Sequence, residues 1–283
     1  MSVNPEISVV APLRNESGNV KALAEAIFAA LQTTGRSFEL ILVDDASTDD
    51  TWSRVKQLCE ADARVNGVRH LRNAGQSAAL FTGFRRSKGA VIATLDGDLQ
   101  NDPADFPRMI EELKDCEMVC GWRTKRADNF QRRLSSRVAR AARRMMLGVD
   151  FADTGCNLRV FKRELIDHLP VFNGLHRFMP VLAHNFGAKV KEIPGQHHPR
   201  ASGQSNYGLG NRLFRGVRDL IMVRWYLNRQ IPRLSVETFP AEVSDLEAPA
   251  AEATTPGNED LARKSIRLDR KATQPPVRAG ASH

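Results

Sequence analysis

Short apolar runs alternate along this chain with longer segments in which apolar residues return every three to four positions. The runs Ile7–Ala11, Glu39–Val43, Gly67–Leu71, Val91–Leu95 and Glu117–Cys120 read as strands, each short and bounded by polar or turn-forming residues. Between the first two, Val20, Leu23, Ala24, Ile27, Phe28 and Leu31 fall at helical spacing, and Gly35 ends the helix. Comparable helices are predicted over Asp50–Asp62, Gln76–Ser87 and Pro103–Lys114. Strand and helix in alternation predict an α/β fold, a parallel sheet wrapped by helices. In such sheets ligands collect beyond the carboxyl ends of the strands. The loops there carry Asn15 and Glu16, Asp44 and Asp45, Asn73 and Gly75, and Asp96 and Asp98, so four strand ends direct polar groups to one place.

Two later segments have a different character. From Gln131 to Leu147 an apolar stripe of Leu134, Val138, Ala141 or Ala142, and Met145 is crowded by Arg132, Arg133, Arg137, Arg140, Arg143 and Arg144. With no acidic residue in the segment, the arginines suit either a solvated face or contact with anions at a membrane surface. From Asn211 to Arg229, Leu213, Phe214, Val217, Leu220, Ile221 and Trp225 form a second apolar face, which either packs on the sheet or lies in an interface. Beyond 231 apolar periodicity disappears and Pro, Ala, Glu, Thr and Ser dominate, so residues 1–231 are expected to fold and 232–283 to form a disordered tail.

Composition narrows the classes. With 42% apolar and 26% charged residues in 283, disorder throughout is excluded. A net charge of +8 favours an anionic partner: a nucleotide, an acidic lipid surface or nucleic acid. Cys59, Cys116, Cys120 and Cys156 have no histidine at zinc-ligand spacing beside them and read as reduced core thiols. No basic segment and cleavage site precede Ile7, so a cytosolic chain is expected. The most apolar stretch, Leu220–Leu227, is broken by Arg224 and falls far short of the roughly 18 residues that span a bilayer, so any membrane role is expected to be peripheral.

The strongest chemical signal is Asp96-Gly97-Asp98 after the strand Val91–Leu95. Two hard carboxylates there suit Mg²⁺ or Mn²⁺, although the same tripeptide also serves as a turn. Around it stand Ala11-Pro12-Leu13-Arg14-Asn15-Glu16, Val43-Asp44-Asp45-Ala46-Ser47-Thr48-Asp49-Asp50-Thr51, Asn73-Ala74-Gly75-Gln76 with Gly83, and Asp96-Gly97-Asp98-Leu99-Gln100-Asn101-Asp102-Pro103. In this order and spacing the motifs resemble the family-2 inverting glycosyltransferases, in the branch that makes polyprenyl-phosphate sugars, as dolichyl-phosphate mannose synthase does. Gly121-Trp122-Arg123, Asp153 to Arg159, His176-Arg177-Phe178, His198-Pro199-Arg200 and Gly203 to Tyr207 extend the resemblance over about residues 5 to 230.

The resemblance implies a Rossmann-like glycosyltransferase A fold with a central, mostly parallel sheet. It implies transfer of a hexose from a GDP- or UDP-linked donor to a polyprenyl phosphate, with inversion, for the cell envelope. Pro12, Arg14, Glu16, Val43, Asp45, Gly75, Asp96, Gly97 and Arg123 would bind the nucleotide-sugar, with Val43 and Asp45 at the base. Asp96, Asp98 and Gln100 would hold Mg²⁺ or Mn²⁺, and Asp96, Asp98 and Arg123 would act in catalysis. Arg126, Arg133, Arg177, Arg200 and Ser205 would meet the acceptor phosphate. The sequence departs from the family pattern in two respects: Asn206 stands where many relatives have a lysine, leaving that charge to Arg200, Arg177 or Arg126, and the transmembrane helices with which the family often continues are not expected here.

A phosphate with its second pKa near 6 is largely ionised at neutral pH, so such an acceptor needs no side-chain base. The alternative is a hydroxyl acceptor with Asp153 as general base. A nucleic-acid-binding module built on the basic helix is disfavoured, because it leaves the carboxylates at four strand ends unexplained. The expected partners are therefore the two substrates, an anionic membrane surface and an integral-membrane protein, at the cytoplasmic face of the membrane. Two structural readings stay open beside these: Asp45, Ser47 and Asp49 as caps of the following helix, and His176, His197 and His198 as packing or loop residues.

Overall fold

The computed structural model describes residues 4–123, 140–198 and 209–229, with side chains in the last span from Gly216 onward. All of these lie in the unit Met1–Arg233, and the expected tail 232–283 lies outside the described residues. The elements are β1 (Ile7–Leu13), α1 (Val20–Gln32), β2 (Phe38–Asp44), α2 (Thr51–Ala61), β3 (Val65–Arg69), α3 (Gln76–Arg86) and β4 (Val91–Thr94). There follow a 3₁₀ turn (Pro103–Asp105) leading into α4 (Phe106–Glu112), β5 (Met118–Arg123), α5 (140–147), β6 (Arg159–Lys162), α6 (Met179–Asn185), β7 (Val190–Gly195) and α7 (Leu209–Leu227).

The seven strands form one sheet in the order β3-β2-β1-β4-β6-β5-β7. The first four are parallel, as are β5 and β7, while β6 runs antiparallel between β4 and β5. Strand order reverses beside β1, with β2 on one side and β4 on the other, and that reversal opens a crevice at the carboxyl ends. Because β6 is reversed, its first residue pairs with the last of β4, Arg159 opposite Thr94. Arg159 thereby reaches the same edge as the ends of β1, β2 and β4.

Alternation along the strands sorts side chains into two layers. Ile7, Val9, Ala11 and Leu13 pack with Leu23 and Ile27 of α1 and Phe106 and Met109 of α4. Val10, Ile41 and Val43 face the other way, onto Leu80 and Phe84 of α3. Helices on both faces explain why every residue of β2 is buried. At Gly83 of α3 an added Cβ would lie 2.2 Å from Val10 Cγ1, so this helix is seated directly on β1.

The third strand begins two residues earlier than its sequence pattern suggests. Val65 is the residue it buries, whereas Leu71 is fully exposed beyond its end. Gly67 lies beneath α2, where a Cβ would come within 2.8 Å of Val55.

The two amphipathic segments also differ from expectation. In α5, Met145 is exposed while Ala142, Met146 and Leu147 pack inward, so the stripe is rotated from the one read in the sequence. Arg140 has an acidic partner after all, Asp150 at 2.5 Å in the following loop. Residues 131–139 lie outside the described residues. In α7 the single expected face is two: Leu220 and Val223 are buried in the core, whereas Val217, Ile221, Met222 and Trp225 are exposed. Asp219 is buried beside Leu220 and pairs with Arg177 at 3.6 Å. Among the described residues no helix is long and apolar enough to cross a membrane.

Candidate active site

The loops after β1 and β2 are laced together. Asn15 N–H donates to Ser47 Oγ at 2.9 Å, Thr48 N–H returns to Asn15 Oδ1 at 2.8 Å, and Glu16 N–H donates to Thr51 Oγ1 at 2.9 Å. Arg14 Nη1 donates to the Asp45 carbonyl, and Asn19 Nδ2 donates to Glu16 at 2.6 Å. Asn15, Ala46 and Leu99 all hold left-handed backbone, at φ 55°, 56° and 57°. Such conformations cost energy in non-glycine residues and cluster where a ligand is gripped. Here they fall in the loops after β1, β2 and β4.

Asp45 does not cap α2. It is buried, and its carboxylate accepts from Ala74 N–H at 2.8 Å, Gly75 N–H at 2.7 Å and His70 Nδ1 at 2.8 Å. The cap-like bonds come from Asp49, to Thr51 N–H at 3.0 Å and to Ser17 N–H at 3.2 Å. Asp45 thus pulls the 73–75 loop over the crevice, and Gly75 supplies the φ of 88° that starts α3 there. Val43, at the end of β2 one residue before Asp44, is fully buried in the core layer of α3, where its side chain packs.

Asp96 and Asp98 follow β4, with Gly97 pressed onto β1: a Cβ there would lie 2.4 Å from Leu13 Cδ2 and 3.1 Å from the Pro12 carbonyl. Asp98 Oδ1 accepts from Gln100 N–H at 3.2 Å, and the Gln100 carbonyl accepts from His198 N–H at 2.8 Å. Burial, with the Asp98 carboxylate next in weight, pushes the Asp96 carboxyl up to about 6. Its Oδ1 accepts from Gln76 Nε2 at 2.7 Å and from Asn157 Nδ2 at 3.1 Å. Two acids whose charges oppose each other, set among hard oxygen and amide donors, fit a Mg²⁺ or Mn²⁺ ion. Among the described residues no group of three or more His, Cys, Asp or Glu could hold a metal ion by itself.

Arg123 ends β5 on this same edge. Its Nε and Nη2 donate to the two oxygens of Asp153 at 2.6 and 3.0 Å, and Gly155 N–H donates to Asp153 Oδ1 at 3.1 Å. Burial is the largest influence and opposes the Arg123 charge, but the bond to Asp153 and the negative charges of Asp153, Cys156 and Asp96 together outweigh it, and the pKa is raised. Arg177 is turned toward Asp219 of α7. Arg126, Arg133, Arg200, Ser205 and Asn206 lie outside the described residues. His176 Nδ1 meets Ser77 Oγ at 2.7 Å and His198 Nε2 meets Asp102 at 3.0 Å, both loop-fixing contacts. Burial, helped by the charges of Arg177 and Arg159, pushes His176 down to about 3, so it is neutral.

Sequence reasoning gave no role to Gln76, Asn157 or Arg159, which the structure gathers behind Asp96. Arg159 is 1% exposed and donates to the Thr154 carbonyl at 2.9 Å and to Asn157 Oδ1 at 3.3 Å. An arginine adjoining the apolar pair Val160-Phe161 was the available signal.

An open α/β sheet with paired carboxylates at its switch point and an arginine beside them defines a nucleotide-binding transferase scaffold. Residues 8–169 match the family model described as glycosyl transferase family 2, and the chain belongs to that family. It is 36% identical over 228 residues to the dodecaprenyl-phosphate galacturonate synthase of Rhizobium johnstonii, covering 78% of this chain and 67% of the relative. It is also 36% identical over 217 residues to the undecaprenyl-phosphate 4-deoxy-4-formamido-L-arabinose transferase of Pseudomonas aeruginosa, covering 76% of this chain and 64% of that one. The chain thus spans about two thirds of the length of such relatives. Among solved structures, a mannosyltransferase of Pyrobaculum calidifontis in complex with GDP-Man and Mn²⁺ superposes with a TM-score of 0.56 at 20% identity, covering 83% of this chain and 67% of the other. Glucosyl-3-phosphoglycerate synthase of Mycobacterium tuberculosis with UDP gives 0.58 at 21% identity, covering 79% and 80%. Both share the fold, a glycosyltransferase A architecture.

Proposed function

We propose that this chain transfers a hexose from a GDP- or UDP-linked donor to a polyprenyl phosphate with inversion, assisted by a divalent cation. Its sequence relatives are named for polyprenyl-phosphate sugars, and the structural neighbour from Pyrobaculum calidifontis was crystallised with a nucleotide-sugar and Mn²⁺. The observation that carries the choice of acceptor is the Arg123–Asp153 pair. A hydroxyl acceptor needs a base, and Asp153, which would serve, has both oxygens committed to Arg123. An ionised phosphate oxygen needs none.

That oxygen attacks the anomeric carbon as the bond to the donor diphosphate breaks, and the nucleoside diphosphate leaves with the electron pair. Asp96, Asp98 and Gln100 would hold the cation, which supplies charge neutralisation for the departing diphosphate. The loops of Pro12 to Glu16 and of Asp45, with Gly75, would frame the nucleotide, and Arg123, close enough to Asp96 for their charges to interact, would meet phosphate oxygens. Arg177, together with Arg126, Arg133, Arg200 and Ser205, would serve the acceptor phosphate.

Membrane attachment is part of the same reading. Val217, Ile221 and Trp225 recur every four residues as an exposed ridge on α7, with Met222 beside it and Arg218 and Arg224 exposed on the same helix. Arg224 donates to the Met146 carbonyl of α5, where Met145 is also exposed. Apolar residues rimmed by arginines suit an anionic lipid surface, each basic residue adding about 1 kcal/mol. The chain would act there peripherally, at the cytoplasmic face, alongside an integral-membrane partner.

The test is an acceptor comparison. The full chain is incubated with Mn²⁺, a panel of radiolabelled GDP- and UDP-sugars and either a polyprenyl phosphate or the matching polyprenol. Label in the lipid extract only with the phosphate is expected; equal labelling of the alcohol would restore the hydroxyl reading.

A further inference from the structure

Asp96 accepts both of its side-chain amide bonds on one oxygen. Gln76 Nε2 and Asn157 Nδ2 converge on Oδ1 at 2.7 and 3.1 Å. The two donors come from different elements, the first residue of α3 and the turn that enters β6. Each is itself fixed. Arg159 can only donate, so its Nη1 at 3.3 Å claims the Asn157 amide oxygen and leaves the amide nitrogen for Asp96. The Asn157 carbonyl is in turn held by Thr94 Oγ1 at 2.7 Å, and Asn157 is 2% exposed. Gln76 begins a helix seated on β1 through Gly83 and tied down at its next residue, where Ser77 Oγ bonds His176 and receives Gly174 N–H at 3.0 Å.

We infer that Gln76 and Asn157, backed by the buried Arg159, are positioning residues that set the rotation of the Asp96 carboxylate and present Oδ2 to the divalent cation. A carboxylate oxygen that receives two N–H groups has its lone pairs occupied. The cation would therefore meet Asp96 through Oδ2 alone, at a single point. That leaves room in the shell for both Asp98 and the donor diphosphate. The inference rests on the metal-assisted reading above and assigns that site the residues that orient it. Outer partners of this kind hold a ligand in its loaded orientation before the ion arrives, and their loss weakens metal affinity without unfolding the protein.

Gln76 is only partly buried, so Gln76→Met removes the donor while keeping the length of the side chain. Binding of Mn²⁺ to the full chain, alone and with UDP or GDP, is read from the electron paramagnetic resonance signal of free Mn²⁺. Thermal midpoints are recorded without metal. The expected result is an affinity loss of about tenfold or more in Gln76→Met, an unchanged metal-free midpoint, and turnover recovered as Mn²⁺ is raised. Asn157→Ser, which shortens the second donor, should show the same loss, and combining the two should exceed either. Wild-type chain that retains no Mn²⁺ would overturn the metal reading itself. Wild-type binding with an unaltered constant in Gln76→Met would overturn only the positioning role, as would an affinity loss that tracks a lowered metal-free midpoint.

Discussion

Gly83→Ala perturbs the contact that seats α3 on β1. The new Cβ would stand 2.2 Å from Val10 Cγ1 and 3.3 Å from Val10 Cβ and Cγ2. Ordinary contact begins at 3.4 Å, so helix and strand must part by about 1.2 Å, and Val10 is fully buried on a stiff β-branched rotamer. Overpacking of this kind costs up to about 3 kcal/mol, from which about 1 kcal/mol of improved helix propensity is subtracted. The net expectation is a loss of about 2 kcal/mol. Val10→Ala removes both offending Cγ atoms and by itself costs about 2 kcal/mol in lost burial. In the double variant the two changes fill and vacate the same space, so it should be no less stable than Val10→Ala, a coupling of about 2 kcal/mol. Urea unfolding of the four proteins gives the cycle. Gln76 lies two turns from residue 83 on the same helix face, so Mn²⁺ affinity should fall in Gly83→Ala and recover in the double variant. Additivity within about 0.5 kcal/mol, or a single variant as stable as wild type, would refute the argument.

Asp153→Asn removes the charge that holds Arg123; stability to urea should fall by about 1 to 3 kcal/mol, while turnover with a polyprenyl phosphate falls less than about tenfold. A loss of about a hundredfold or more, with a pH–rate profile missing its acid limb, would mark Asp153 as a base instead. The metal-free protein should show two opposed titrations. Asp96, raised to about 6 by burial and Asp98, contributes stability at low pH that is lost as pH rises from about 4 through about 6. His176, lowered to about 3 by burial and the nearby arginines, makes stability fall as pH drops below about 6.5, because only the unfolded chain takes up the proton. Metal-free Asp96→Asn should therefore lose up to about 3 kcal/mol more than wild type between pH 6 and 4, and parallel stability curves would contradict this. Ile221→Glu with Trp225→Glu alters only exposed residues of α7; folding should be unchanged within about 0.5 kcal/mol, while sedimentation with anionic liposomes at low salt is lost. Undiminished sedimentation would remove that ridge from the membrane contact.

The parts of this fold that advertise themselves in sequence are those with many repeats of one period. In α1, Val20, Leu23, Ala24, Ile27 and Leu31 are buried as their spacing predicts, and Phe28 of the same pattern is partly buried against them. Strands β1, β2 and β4 and the helices between them fall within a few residues of their apolar runs. The short elements were silent. In β6, Arg159-Val-Phe-Lys162 opens and closes on charges, and in β7 the large apolar residues Val190 and Ile193 stand three apart, so neither sequence shows the period of a strand. The carboxylates of the crevice were legible because acids after a buried strand have few other reasons to be there. Their supports were not, since nothing in an isolated Gln76 or Asn157 says that an amide will turn toward Asp96. Nor does the pattern of α7 reveal its split, because Val217 and Leu220 are compatible with one stripe until Asp219 is seen buried beside the latter.

In the proposed reaction a phosphate oxygen receives the sugar, and phosphorus-31 resonance of the lipid product reports that transfer directly. After reaction of the full chain with Mn²⁺, the competent nucleotide-sugar and a polyprenyl phosphate, the phosphomonoester signal of the lipid should be replaced by a phosphodiester signal. One nucleoside diphosphate should appear for each diester formed. A lipid phosphomonoester that persists while nucleoside diphosphate accumulates and sugar is attached through a hydroxyl would contradict it.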